Sequence, residues 1–158
     1  MLALALALAL ALPAAAPVVP MGLTDLDLID ASGARVDPDY RGRVIVVDAW
    51  ATWCAPCLAE LPRLRQLVRR HGDELVLVGL SVDRMPRRDF ISWLQRKDVT
   101  WPQHFDGRGY DSPVARAFAI DAIPETWLFD REGRLVARGL RGATLEAAVD
   151  LLVAGGRR

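Results

Sequence analysis

Two cysteines, Cys54 and Cys57, are the whole thiol inventory of the 158-residue chain, and they sit in the segment Trp50-Ala-Thr-Trp-Cys-Ala-Pro-Cys57. A disulfide between them would close a loop too short to restrain the unfolded chain, since chain-entropy stabilisation grows with loop length, so its use would be chemical. A thiol placed where a helix begins faces unpaired backbone N–H groups and the positive end of the helix dipole, and both favour thiolate over thiol. Bringing a cysteine from about 8.5 to about 7 takes roughly 2 kcal/mol, and a helix end supplies about 0.3 to 2 kcal/mol. On this reading Cys54, at the exposed N-terminal edge, is the attacking sulfur. Cys57, one turn in and shielded, is the resolving one, and Pro56 keeps the loop rigid. The alternatives are half of a zinc site, whose remaining donors would have to come from His71 and His104, and a pair of ordinary buried cysteines.

Asp48 lies six positions before Cys54, inside Val-Ile-Val-Val-Asp-Ala-Trp. A carboxylate left unpaired in a core strand is costly enough to raise its pKa and take up a proton. Such an acid beneath the cysteines suits the role of taking the Cys57 proton during resolution. The alternative is a strand-end carboxylate bonded to a backbone N–H or an arginine. Glu60, three residues past Cys57, is a second candidate proton carrier, or else an anion in the first helical turn. Ile123-Pro124 immediately precedes a strand, a position that proline tolerates, and the residues alone give it an ordinary trans bond.

The elements that must position these residues alternate between strand-like and helix-like, which predicts an α/β layer architecture with part of the sheet parallel. Leu26 to Ile29 reads as a weak first strand ending in the turn Asp30-Ala-Ser-Gly33. Val44 to Trp50, apolar on both faces but for Asp48, is the strongest strand and belongs at the centre. Leu58, Leu61, Leu64, Leu67 and Val68 recur at helical spacing, giving an amphipathic helix of about 13 residues closed near His71-Gly72. Leu75 to Val82 is a second buried strand, followed by a helix over Arg87 to Lys97. Ser112 caps a short helix to Ala119 with Pro113 at its first position. Glu125 to Asp130 and Leu135 to Arg138 form a hairpin around Asp130-Arg-Glu-Gly133, and Thr144 caps a last helix from Leu145 to about Val153.

Equal numbers of acidic and basic residues, 20 each, with no long block of like charge, argue against the basic face that nucleic acid phosphates demand, so no nucleic acid partner is expected. Leu2 to Leu12 is an unbroken Ala/Leu run, too short to cross a membrane as a helix and followed by prolines at 13, 17 and 20. Residues 1–20 are therefore read as a secretory-type signal or N-terminal anchor, and 22–154 as one domain. An extracytoplasmic, periplasmic location follows. Translation from Met21 would instead leave the protein in the cytoplasm.

Trp-Cys-Ala-Pro-Cys after Val-Val-Asp-Ala-Trp, Glu-Leu-Pro at 60–62, and Ala-Ile-Pro-Glu-Thr-Trp-Leu-Phe-Asp at 122–130 together resemble the thioredoxin-like superfamily. More narrowly they are similar to the TlpA/ResA/CcmG type of exported bacterial thiol-disulfide oxidoreductase. The resemblance implies a central mixed β-sheet flanked by helices, with an insertion over 84–122 adding a helix and a strand. It implies Cys54 as nucleophile and Cys57 as resolving thiol, Pro124 as a cis-proline facing the disulfide, and the Ile123 backbone pairing with an extended substrate segment beside Trp53. Glu60 matches an acidic position of the family thought to tune the thiols. Position 48 is commonly Asn in the exported group, and Asp there resembles cytoplasmic thioredoxin.

The leading expectation is a thiol-disulfide oxidoreductase that reduces protein disulfides, with no cofactor beyond the Cys54–Cys57 pair. Its partners would be a disulfide-containing protein substrate and an upstream thiol electron donor, a membrane-bound one included. The alternatives are a thiol peroxidase, for which Ala51 stands where a Thr or Ser is usual and Thr52 is one position off, and a non-catalytic thioredoxin-like peptide-binding module.

Overall fold

The computed structural model describes residues 22–156. The segment 1–20, expected as a signal or anchor, lies outside the described residues. From there the chain runs β1 (Leu28–Ile29), β2 (Arg35–Val36), β3 (Val44–Trp50), α1 (Ala55–His71), β4 (Leu75–Ser81), α2 (Arg87–Arg96), β5 (Gln103–His104), α3 (Pro113–Ala117), β6 (Glu125–Phe129), β7 (Leu135–Arg138) and α4 (Gly142–Gly155).

These strands form one mixed sheet in the order β2-β1-β5-β4-β3-β6-β7. β3 is buried at every residue, parallel to β4 on one side and antiparallel to β6 on the other. That is the central place its two-sided apolarity predicts. The hairpin β6–β7 forms as expected, its turn closed by Asp130 Oδ1, which accepts from the amides of Glu132 at 3.0 Å and Arg134 at 2.9 Å.

Side-chain alternation decides which residues share the site's face. The register aligns Gln103, Gly79, Asp48 and Thr126 across β5, β4, β3 and β6, so all four point to one side. Trp50, two residues past Asp48, points the same way and packs on Phe90 and Trp93 of α2. On that side Arg65 of α1 donates to the carbonyls of Lys97 and Asp98 at the end of α2, and Arg63 of α1 meets Glu146 of α4 at 2.8 Å. The opposite face carries α3, at whose C-terminal end Phe118 meets the ring of Trp127 edge-on.

Four expectations change. The first strand shrinks to Leu28–Ile29, and two two-residue strands, β2 and β5, were invisible to periodicity because two residues carry no period. The amphipathic helix α1 begins earlier, at Ala55, and runs 17 residues through Pro62. Thr144 is not a cap: α4 starts at Gly142 after Arg141, and the Thr144 hydroxyl donates back to the Arg141 carbonyl at 2.6 Å. Ser112 does cap α3, accepting from the Val114 amide at 3.2 Å.

Candidate active site

β3 delivers the chain to a three-residue link, Ala51-Thr52-Trp53, and α1 begins immediately after Cys54. Cys54 is the N-cap of that helix, in extended conformation, and its Sγ accepts the Cys57 amide at 3.3 Å. A sulfur thus occupies the place where a Ser or Asp oxygen would answer one of the orphan N–H groups of the first turn. The Cys54 carbonyl takes the Leu58 amide at 3.0 Å, and its own amide reaches the Ala51 carbonyl at 3.1 Å, so the residue is held from both sides. Cys54 and Cys57 are joined as a disulfide. The expected contrast in exposure is absent: Cys54 is 5% exposed and Cys57 4%. What separates them is the cap position, because only Cys54 receives a helix N–H.

Asp48 lies below this turn, buried at 6% exposure. Its neighbours across the sheet offer it nothing: Gly79 has no side chain, and the Thr126 hydroxyl donates to the Leu140 carbonyl at 2.6 Å. Burial pushes its carboxyl up to about 7, and the negative charge of Glu60 adds to the rise. The alternative of an amide- or arginine-bonded Asp48 does not hold among the described residues.

Glu60 is not an anion of the first turn of α1, which has no acidic residue. Its Oε2 accepts the Gly142 amide at 2.8 Å and so caps the N-terminus of α4, which its own Arg141 leaves uncapped. A carboxylate on one helix therefore closes another, and its charge is felt at Asp48.

Two polar anchors beneath the link were missed by sequence reasoning. Asp83, fully buried, accepts the Thr52 amide at 3.1 and 3.0 Å and the Thr52 hydroxyl at 2.6 Å. Gln103, also fully buried, accepts the Trp50 indole N–H at 2.9 Å and donates to the Trp101 carbonyl at 3.1 Å. The available signal for Asp83 was its place just past the carboxyl end of a parallel strand, the edge of an open α/β sheet where sites gather. Gln103 offered none, since it lies on a two-residue strand.

The antiparallel register that pairs Ala49 with Glu125 carries Pro124 to the level of Trp50, at the end of the sheet where the link begins. The Ile123–Pro124 bond is cis. Ile123 and Pro124 are half-buried and Trp53 is 61% exposed. Glu125 is tied to Arg138 at 3.3 Å, and that guanidinium covers the Trp127 ring at 5.0 Å.

A model of the AhpC/TSA family matches residues 21–138. The chain is 28% identical over 100 residues to the thiol-disulfide oxidoreductase ResA of Geobacillus thermodenitrificans, covering 61% of this chain and 54% of that protein. It is 25% identical over 112 residues to the thioredoxin-like protein YneN of Bacillus subtilis, covering 69% and 64%. The chain thus spans between about half and two thirds of the length of these curated relatives. Among solved structures it superimposes on a thiol:disulfide interchange protein from Bacteroides sp. with a TM-score of 0.71 at 28% identity, covering 92% and 93% of the two chains. On the thioredoxin domain of a thiol-disulfide oxidoreductase from Bacteroides vulgatus the TM-score is 0.68 at 29% identity, covering 79% and 90%. The fold is thioredoxin-like.

Proposed function

The chain belongs to the AhpC/TSA family, and from that premise we propose that it is a thiol-disulfide oxidoreductase that reduces disulfides in proteins. The observation that carries this reading is the Cys54 sulfur acting as the N-cap of α1, with the Cys57 amide aimed at it. In the reduced protein the same amide and the helix dipole stabilise a thiolate on Cys54.

The Cys54 thiolate attacks one sulfur of a target disulfide, forming a mixed disulfide and releasing the first target thiolate. Asp48, ionised, takes the Cys57 proton. The Cys57 thiolate then attacks Cys54 Sγ, the second target thiolate leaves, and the pair ends as the Cys54–Cys57 disulfide. Two electrons have passed to the target, so an upstream dithiol, membrane-bound or otherwise, must restore the pair; no further cofactor is required. Glu60 acts by holding Asp48 in its protonatable range. Trp53, Ile123 and Pro124 form the surface on which an extended target segment lies, with the Ile123 backbone as its pairing edge. The reducing direction is favoured because Asp48 serves resolution and the chain has no second thiol pair to relay oxidation. The apolar residues 2–12 and the ResA relatives support an extracytoplasmic location.

Peroxide chemistry is the weaker reading. Thr52, the hydroxyl nearest the peroxidase pattern, donates its hydrogen bond to Asp83.

The test is a pair of variants against a protein disulfide such as that of insulin. Cys54→Ser is expected to abolish reduction, and Cys57→Ser to accumulate a mixed disulfide that can be isolated and mapped to Cys54. Retained reduction in Cys54→Ser sinks the mechanism.

A further inference from the structure

Asp83 is a fully buried carboxylate that none of the steps above uses. Its partners are the Thr52 amide, the Thr52 hydroxyl and, at 2.8 Å, the Ser81 hydroxyl. All of them donate, as an acceptor-only carboxylate requires. An uncompensated charge in this position would be expensive, and the set of donors removes most of that cost. Ser81 is itself oriented by the Asp83 amide, which donates to its Oγ at 3.1 Å. The whole assembly therefore serves one external residue, Thr52.

Thr52 lies in the link between β3 and Cys54. One end of that link is fixed where Val82, the residue before Asp83, donates its amide to the Trp50 carbonyl at 3.0 Å. The other end is fixed where the Cys54 amide reaches the Ala51 carbonyl at 3.1 Å. Between these two points it is Asp83 that holds the middle of the link, through the Thr52 amide and hydroxyl.

We propose that Asp83 is the positioning residue of the redox loop: through Thr52 it holds Cys54 at the α1 N-terminus, and its charge sets how strongly the pair favours the reduced form. This rests on the thiol-disulfide reading above. The sign follows from the charge. A carboxylate beneath the loop opposes a thiolate on Cys54, and the Thr52 hydroxyl offsets part of it. A stabilised thiolate makes the dithiol easier to form. Removing the charge therefore favours reduction, and removing the hydroxyl favours oxidation.

The experiment is the equilibrium of each full-length variant with glutathione, read by tryptophan fluorescence. Asp83→Asn is expected to move the equilibrium constant about tenfold towards the dithiol, and Thr52→Val several-fold towards the disulfide, with Thr52→Ser within about twofold of wild type. Ser112→Ala, which removes a remote helix cap, is expected to lower the melting temperature and leave the equilibrium alone. Opposite shifts from two variants that both loosen the loop are not what mere destabilisation produces. If Asp83→Asn does not fold, Thr52→Val against Thr52→Ser decides. Unmoved equilibria in Asp83→Asn and Thr52→Val, or an equal shift in Ser112→Ala, overturn the inference while leaving the function intact. A wild-type pair that neither glutathione nor dithiothreitol reduces reversibly overturns the thiol-disulfide reading, and this one with it.

Discussion

At Asp48, burial and the charge of Glu60 act in the same direction, raising the carboxyl from 3.8 to about 7. The raised value has a stability sign that can be measured. The folded state prefers the protonated acid more than the unfolded chain does, so the contribution is fully present below about pH 4 and is lost as the pH rises through 7. Asp48→Asn keeps the shape without the charge. In the oxidised protein it is expected to be a few kcal/mol more stable than wild type at pH 8, with the difference vanishing near pH 4, as denaturant midpoints at the two values would show. In the mechanism proposed above the same substitution removes the base for Cys57, so disulfide turnover at neutral pH should fall by about 10²-fold while the first attack by Cys54 is preserved. An unchanged rate of release from the mixed disulfide would take Asp48 out of the chemistry. The burial of Asp48 was legible in Val-Ile-Val-Val-Asp-Ala-Trp, since a single acid in a two-sided apolar strand has nowhere else to go. Its lack of a bonding partner was not, because that depends on Gly79 and Thr126, which only the strand register brings alongside.

At the scale of elements, the helices carry the site by their ends. The N-terminus of α1 meets the Cys54 sulfur, and the N-terminus of α4 meets Glu60 of α1. Glu60→Gln is expected to weaken the second contact by about 0.5 to 1 kcal/mol. It should also bring the pH inflection of Asp48 down from about 7, because it removes the charge that helps to raise it. Thermal melts and a pH titration of stability read the two effects separately, and an unmoved inflection would leave Glu60 a helix cap alone. Ser112→Ala should cost about 1 kcal/mol, the ordinary value of an N-cap, measurable by urea unfolding. The sequence displays these two caps unequally. Ser112-Pro113 is a local signal, read from adjacent residues. The Glu60 cap spans 82 positions and has no local trace, which is why Thr144 looked like the cap of α4. The helix α1 was legible through its period, and β3 and β4 through unbroken apolar runs. β2 and β5 were not, since a two-residue strand is defined by what it pairs with and not by its own pattern.

Over the whole molecule, the insertion and the redox loop are one packed unit. β5, within the inserted segment, supplies Gln103, whose amide lies across Gly79 of β4 to reach the Trp50 indole at 2.9 Å on β3. A Cβ on Gly79 would sit 2.0 Å from Gln103 Oε1, so the glycine is the space that lets the insertion touch the strand leading to Cys54. The far end of a glutamine would usually move aside cheaply, but this one is fully buried and bonded at both its oxygen and its nitrogen. Gly79→Ala should therefore cost about 1 to 3 kcal/mol through overpacking. Gln103→Ala should cost about 1 to 3 kcal/mol by leaving the buried Trp50 N–H without an acceptor. The two losses share one cause, the displaced amide, so the double variant is expected to be more stable than the sum of the singles by about 1 kcal/mol or more. Denaturation of the four proteins closes the cycle. Simple additivity would mean that Gln103 and Gly79 act independently, leaving Phe90 and Trp93 of α2 as the insertion's hold on Trp50.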